Sequence, residues 1–168
     1  MTPKQYIEVL LQPGDYYFSD DPNTRIRTLL GSCVSVTLWH PKFKIGGMCH
    51  FLLPKRKKEQ PTLSIEYADA RYADEALWLL QHEIKQLNLP ITQFQAKVFG
   101  GGRMFNHTTQ SSVHDIGGKN IEVAKQLLSS MGINSISEHV GGLGHRNVFF
   151  DLWNGDVWVK QLPLPNKK

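Results

Sequence analysis

The chain has 168 residues, 40% hydrophobic and 20% charged, with 19 Lys and Arg against 15 Asp and Glu and two cysteines. This apolar content suffices for one domain with a substantial core, taken as residues 1–168, and two cysteines are too few for a disulfide framework, which points to a reducing compartment. No apolar run approaches the roughly 20 residues needed to span a membrane, and Met1-Thr2-Pro3-Lys4-Gln5-Tyr6 leads into only a short apolar stretch, so no secretory signal, no membrane insertion and a cytoplasmic location are expected.

The first predicted strand covers 25–30. It runs into a small-residue elbow, Gly31-Ser32-Cys33, and then into a strand over 33–39 in which Val34, Val36 and Leu38 alternate with Cys33, Ser35 and Thr37. His40-Pro41-Lys42-Phe43 reads as a turn, because Pro presets φ for the second turn position. A further strand, 44–52, sets Ile45, Gly47, Cys49 and Phe51 against Gly46, Met48 and His50. A four-residue hairpin loop pairs Trp39 with Lys44 and therefore Cys33 with His50. Directly opposed residues have Cβ atoms roughly 4.5 to 5.5 Å apart on one face. The same register places Val34, Val36, Leu38, Ile45, Cys49 and Phe51 together on an apolar face, so Cys49 is read as a buried small hydrophobe. A one-residue slip reverses both assignments.

Cys33 and His50 are thus a candidate thiol nucleophile and base, a pair that must approach within about 3 Å to exchange a proton. Gly31 removes side-chain bulk just before the thiol, and Ser32 with the neighbouring amides offers donors to a developing oxyanion. Cys33, His40, Cys49 and His50 can also be read as zinc ligands. Their spacing lacks the paired-cysteine knuckle of structural zinc and the register turns Cys49 away from Cys33, so no metal is expected and His40 is read as a turn residue.

Beyond the hairpin, the formal charge of +4 and the run Lys55-Arg56-Lys57-Lys58 invite a nucleic-acid reading. The run lies between Leu52-Leu53-Pro54 and Glu59-Gln60-Pro61 and reads as a solvated loop; any partner it steers is an acidic protein, not nucleic acid. Tyr72, Ala73, Ala76, Leu77, Leu80, Ile84 and Leu87 recur at helical spacing, predicting a helix from Tyr67 to about Leu87. A strand over 94–100 leads to Gly100-Gly101-Gly102, which lacks the Lys-Ser/Thr ending of a phosphate loop and is read as close backbone packing or a cleft wall. A second helix, about Lys119 to Met131, buries Ile121, Ala124, Leu127, Leu128 and Met131 and stops at Gly132. Strands follow at 134–139, 146–151 and 156–161, the last two joined as a hairpin through Asn154-Gly155. Gly141-Gly142-Leu143-Gly144-His145-Arg146 is a second glycine loop whose His and Arg are candidates to border the site. Two helices among strand-rich halves make an α+β fold.

The runs Thr28-Leu29-Leu30-Gly31-Ser32-Cys33-Val34 and Gly46-Gly47-Met48-Cys49-His50-Phe51-Leu52-Leu53-Pro54 closely resemble the CheD family of chemoreceptor glutamine deamidases. The resemblance extends over residues 10 to 162 through Pro13-Gly14, Arg71-Tyr72-Ala73-Asp74, Ala96-Lys97-Val98-Phe99-Gly100-Gly101-Gly102, Met104-Phe105, Ile116-Gly117 with Asn120, and Gly141-Gly142 with Arg146. It implies a layered sandwich of mostly antiparallel or mixed sheets with the two main helices outside. It also implies a cofactor-free enzyme in which Cys33 attacks selected receptor glutamines, His50 serves as base, and glutamate and ammonia result by way of a thioester. Its substrates are then the cytoplasmic domains of chemoreceptors.

The family pattern further implies a catalytic-site threonine six positions before the cysteine. Here position 27 is Arg27, and Thr28, five positions before Cys33, is taken as the candidate catalytic-site residue in its place. On one continuous strand that shift turns the hydroxyl to the opposite face, so either the strand is bulged or another group orients His50. Two alternatives stay open. One is a non-catalytic adaptation module binding receptors or a regulatory phosphatase; the other is a glutamyl methylesterase using the same dyad.

Overall fold

The computed structural model describes residues 2–56, 63–105 and 115–164. Among the described residues nine strands form two sheets. The smaller has the order β1-β3-β8-β9, from β1 (Ile7–Leu11), β3 (Thr24–Leu30), β8 (Arg146–Asp151) and β9 (Val157–Gln161). The larger has the order β2-β5-β4-β6-β7, from β2 (Tyr16–Ser19), β4 (Val34–His40), β5 (Ile45–Cys49), β6 (Gln95–Gly100) and β7 (Ser135–Val140). Pairing is antiparallel except for β1 with β3 and β6 with β7. Two helices, α1 (Ala73–Gln86) and α2 (Ile116–Ser130), pack on the larger sheet, α1 over β2 and β5 and α2 over β4, β6 and β7. The result is an α+β sandwich of sheet, sheet and helix layers.

The period-two pattern of β4 and β5 explains the layering, since each strand is buried on both faces. Val34, Val36, Leu38, Ile45, Cys49 and Phe51 face α1 and α2 in one core. Met48 joins Leu11, Ile26, Leu30, Phe99, Val148, Phe150 and Leu152 in a second core between the sheets, and Cys33 and Trp39 pack against it. Away from the elbow, Trp39 Nε1 donates to Leu152 O and Lys97 Nζ to Gly155 O, both at 2.8 Å, tying the larger sheet to the β8–β9 turn.

The β4–β5 register differs from the expected one. Leu38 pairs with Gly47 and Val34 with Phe51, so the loop is Pro41–Lys44, one residue further along. Lys44 takes φ 55° and its amide donates to His40 O at 2.8 Å, which closes the turn after Lys44 rather than after Phe43. Each residue consequently changes partner by two positions. Such a shift preserves the side-chain faces, so Cys49 lies in the helix-side core as the pattern predicts, whereas Cys33 becomes a diagonal neighbour of His50 instead of its direct opposite.

His40 is also more than a turn residue. It ends β4 buried, its Nδ1 accepting from Phe43 N at 3.2 Å while Nε2 meets Gln93 Oε1 at 3.0 Å. Helix α1 begins six residues later than its apolar spacing suggests. The Asp69 carboxylate accepts from Arg71 N, Tyr72 bridges to Leu53, and Ala73 N donates to Leu53 O, so 69–72 follow the strand-like segment after β5 before the helix starts. In α2, Gly117 and Gly118 hide the first turn from an apolar-pattern reading, but Asp115 caps it by accepting from Gly118 N at 2.9 Å. Strands β1 and β2 carry no expectation from the sequence. Both are short edge strands, although Ile7, Val9 and Leu11 alternate in favour of β1.

Candidate active site at the junction of the two sheets

Between β3 and β4 the chain passes from the smaller sheet to the larger through Gly31-Ser32-Cys33. The elbow is held from behind by the glycine run. Gly102 N donates to Gly31 O and Gly101 N to Cys33 O, both at 2.8 Å. Gly100, at φ 104°, lies so close that a Cβ there would run into Cys33 O. These two amides are committed to the elbow, so the run serves backbone packing and has no cradle to offer a phosphate. The front of the elbow is equally close. A Cβ on Gly31 would stand 3.0 Å from Met104 Sδ and 3.3 Å from the imidazole of His145, which is exposed at the rim.

His50 directly follows β5 and its backbone is secured on both sides. Its amide donates to Asp15 O at 3.0 Å and its carbonyl accepts from Gly14 N at 2.8 Å, while Phe51 and Val34 exchange bonds of 3.0 and 3.1 Å. The imidazole, 1% exposed, meets Thr28 Oγ1 through Nδ1 at 2.7 Å. Thr28 Oγ1 also lies 2.9 Å from Leu11 O. A carbonyl oxygen only accepts, so the single hydroxyl proton goes to Leu11. His50 Nδ1–H must then be the donor to Thr28. The neutral ring therefore carries its proton on Nδ1 and presents an unprotonated Nε2, which is buried with no partner among the described residues.

Thr28, the candidate catalytic-site threonine, thus meets His50 although parity along one continuous strand would turn it away. The parity count from 28 to 33 assumed one continuous strand, but β3 ends at Leu30 and the chain changes sheets before Cys33. Thr28 belongs to the inward face of β3 with Thr24, Ile26 and Leu30, and the smaller sheet delivers its hydroxyl to a histidine on the larger one. Arg27 points outward and pairs with Glu8 at 2.7 Å.

Cys33 is free and half-buried, at the edge of the core between the sheets. Cys49 is fully buried on the opposite face, with its thiol donating weakly to Val36 O at 3.9 Å. Burial pushes the Cys33 thiol above its ordinary value and drives Cys49 up to about 12. It lowers His50 to about 4, against the opposing charge of Asp15. At neutral pH the site therefore holds a thiol and a neutral imidazole, not a preformed ion pair. Such an arrangement suits proton transfer during attack.

Of the other candidates, Arg146 is buried under the glycine loop and donates to His139 Nδ1 at 2.8 Å, His139 O at 2.7 Å and Gly141 O. It braces that loop from inside and does not line the cleft. Arg56 is not a free member of a basic run: it grips the buried Glu75 carboxylate with bonds of 2.8 and 3.0 Å. Lys55 is exposed, and Lys57 and Lys58 lie outside the described residues. Among the described residues no three His, Cys, Asp or Glu side chains gather as a metal ion would require. No described helix is long and apolar enough to cross a membrane. The pattern reading missed Leu11, whose carbonyl fixes the Thr28 proton, and Asp15. Neither has a local signal, since each acts on a residue distant in sequence, Leu11 through its carbonyl and Asp15 through its carbonyl and its charge.

The fold and site define an α+β sandwich protein with a free thiol and a hydroxyl-anchored imidazole on one face of its larger sheet. Its sequence has clear relatives. A family model described as CheD chemotactic sensory transduction matches residues 52–161. A probable chemoreceptor glutamine deamidase CheD 2 of Albidiferax ferrireducens is 47% identical over 95% of this chain and 90% of its own length. A counterpart from Chromobacterium violaceum is 45% identical over 91% of this chain and 77% of its own. One from Pseudomonas savastanoi pv. phaseolicola is 43% identical over 97% and 89%. The chain belongs to the CheD family.

Proposed function

We propose that the protein is a cysteine-dependent glutamine deamidase of chemoreceptors, with Cys33 as nucleophile, His50 as general base and acid, and Thr28 as the group that orients His50. The observation that carries this reading is the Leu11–Thr28–His50 hydrogen-bond chain, because it leaves Nε2 free to accept a proton on the face of the sheet that bears Cys33. The names of the relatives supply the substrate class.

A primary carboxamide is a poor electrophile with a poor leaving group, so proton movement must accompany attack. Cys33 Sγ bonds to the carboxamide carbon as its proton passes to His50 Nε2. The negative oxygen that forms is met by donors at the Ser32–Cys33 elbow. The imidazolium keeps its Nδ1–H on Thr28 and is favoured by the Asp15 charge. It returns the Nε2 proton to the departing nitrogen, the C–N bond breaks, and ammonia leaves a thioester on Cys33. Water, deprotonated by Nε2, then opens the thioester to give a glutamate side chain and the free thiol.

The test is to incubate a receptor cytoplasmic domain with the protein and with Cys33→Ala. Ammonia release, and the mass change of an NH2-to-OH exchange at receptor glutamines, are expected with the first only. Their absence with the native protein, or persistence with the variant, overturns the reading, and methanol released from methylated receptor in place of ammonia marks a methylesterase.

A further inference from the structure

Cys33 and His50 flank the neighbouring strands β4 and β5, one just before β4 and the other just after β5, where the ladder between those strands ends. The reciprocal bonds of Val34 and Phe51 are its last rung. Beyond it the two segments part: Leu52 N donates to Arg71 O at 2.8 Å, and the elbow leans on Gly101 and Gly102. Each half is held by its own surroundings.

Asn120, on α2, connects them. Its side chain is fully buried, and its Nδ2 donates to Leu52 O at 2.8 Å and to Ser32 O at 3.3 Å. Ser32 immediately precedes Cys33, and Leu52 stands two residues after His50. Because both partners are carbonyls the orientation of the amide is forced, and Oδ1 is left with no partner among the described residues. A buried acceptor without a partner is costly, so an amide is a poor choice for filling space here. Its donor end is what the site uses.

We propose that Asn120 is a positioning residue that sets the separation and tilt of the Cys33 elbow relative to the His50 strand. This rests on Cys33 and His50 acting as nucleophile and base. Proton transfer between them requires an approach of about 3 Å, and a displacement of about 1 Å in a reacting pair costs up to about a hundredfold in rate. Loss of the shared donor frees the Ser32 and Leu52 carbonyls to move independently, one and two residues from the reacting side chains. A carboxyl at this position, kept protonated by burial, serves only one of the two carbonyls.

The test uses Asn120→Asp and Asn120→Ala in the full chain and reads alkylation of both cysteines by iodoacetamide alongside ammonia release. Alkylation of Cys33 joins Sγ to the reagent carbon with loss of iodide and of the thiol proton, so it reports whether Nε2 is in reach without using any receptor. Cys49, fully buried, reports opening of the core. Both variants are expected to slow Cys33 alkylation and to lower kcat by about tenfold or more, with KM within about twofold and Cys49 as protected as in the native protein. A merely structural role moves Cys33 the other way, because loosening the fold exposes both thiols. Unchanged or faster Cys33 alkylation in both variants, or Cys49 reacting as readily as Cys33, overturns the proposal. A native protein that releases no ammonia while the variants still slow Cys33 alkylation refutes glutamine as the substrate and supports the positioning role; an active native protein whose variants match it does the reverse.

Discussion

Replacing Thr28 by Val keeps the shape of the side chain and deletes one oxygen, yet it removes two hydrogen bonds, to Leu11 O at 2.9 Å and from His50 Nδ1 at 2.7 Å. The donor left behind on His50 is buried, since the residue is 1% exposed. A buried donor without a partner costs about 1 to 3 kcal/mol. Without an acceptor at Nδ1 the ring loses that much of its preference for the Nδ1–H tautomer, and a proton on Nε2 blocks the nitrogen proposed to accept from the Cys33 thiol. Regaining the productive tautomer requires the same energy, which at about 1.4 kcal/mol per tenfold lowers kcat by about five- to 150-fold. KM should stay within about twofold, because Thr28 is 2% exposed behind the imidazole and out of reach of substrate. Thr28→Ser restores the hydroxyl and should recover most of the rate. The assay is ammonia release from a receptor cytoplasmic domain over a range of substrate concentrations. A Val variant with native kcat, or Ser and Val variants equally impaired, refutes the assignment of Thr28 as the group that fixes the His50 tautomer.

Because His50 titrates near 4 when folded against about 6.5 when unfolded, the unfolded chain binds the extra proton between those values and stability falls as pH drops through that window. The loss reaches on the order of 3 kcal/mol and is absent above about pH 6.5; urea midpoints at pH 7 and pH 5 should fall further in the native protein than in His50→Phe, and equal falls count against it. The acid limb of kcat should accordingly lie near 4, and a limb at the ordinary histidine value contradicts a buried neutral base. Gly100→Ala sets a Cβ against Cys33 O at φ 104°, with an expected loss of about 1 to 3 kcal/mol in urea unfolding and a displaced elbow with reduced activity; native stability and activity together would show that the glycine wall yields. Arg56→Ala strands the buried Glu75 carboxylate and should lower the urea midpoint, whereas Lys55→Ala should not. Equal effects of the two would return Arg56 to the basic run.

Alternation of side chains along 34–38 and 45–51 by itself determined which residues of this hairpin share a face, and with that the burial of Cys49. A face is set by parity, which survived a turn displaced by one residue. Heptad-like spacing likewise located the bodies of both helices, whose buried stripes consist of short-range repeats. Helix starts were less legible: the beginning of α1 depends on Leu53, a residue twenty positions earlier, and that of α2 on glycines that carry no pattern. The candidate-site contacts lie further from the reach of the sequence. Thr28 meets His50 only because the chain changes sheets at the elbow and the two sheets then pack face to face, and Asn120 meets Ser32 and Leu52 only because α2 lies across β4. Period and composition act over a few residues, whereas a hydrogen bond between layers is set by how those layers stack; the residue types of the site were therefore written locally, and their partners were decided by the tertiary structure.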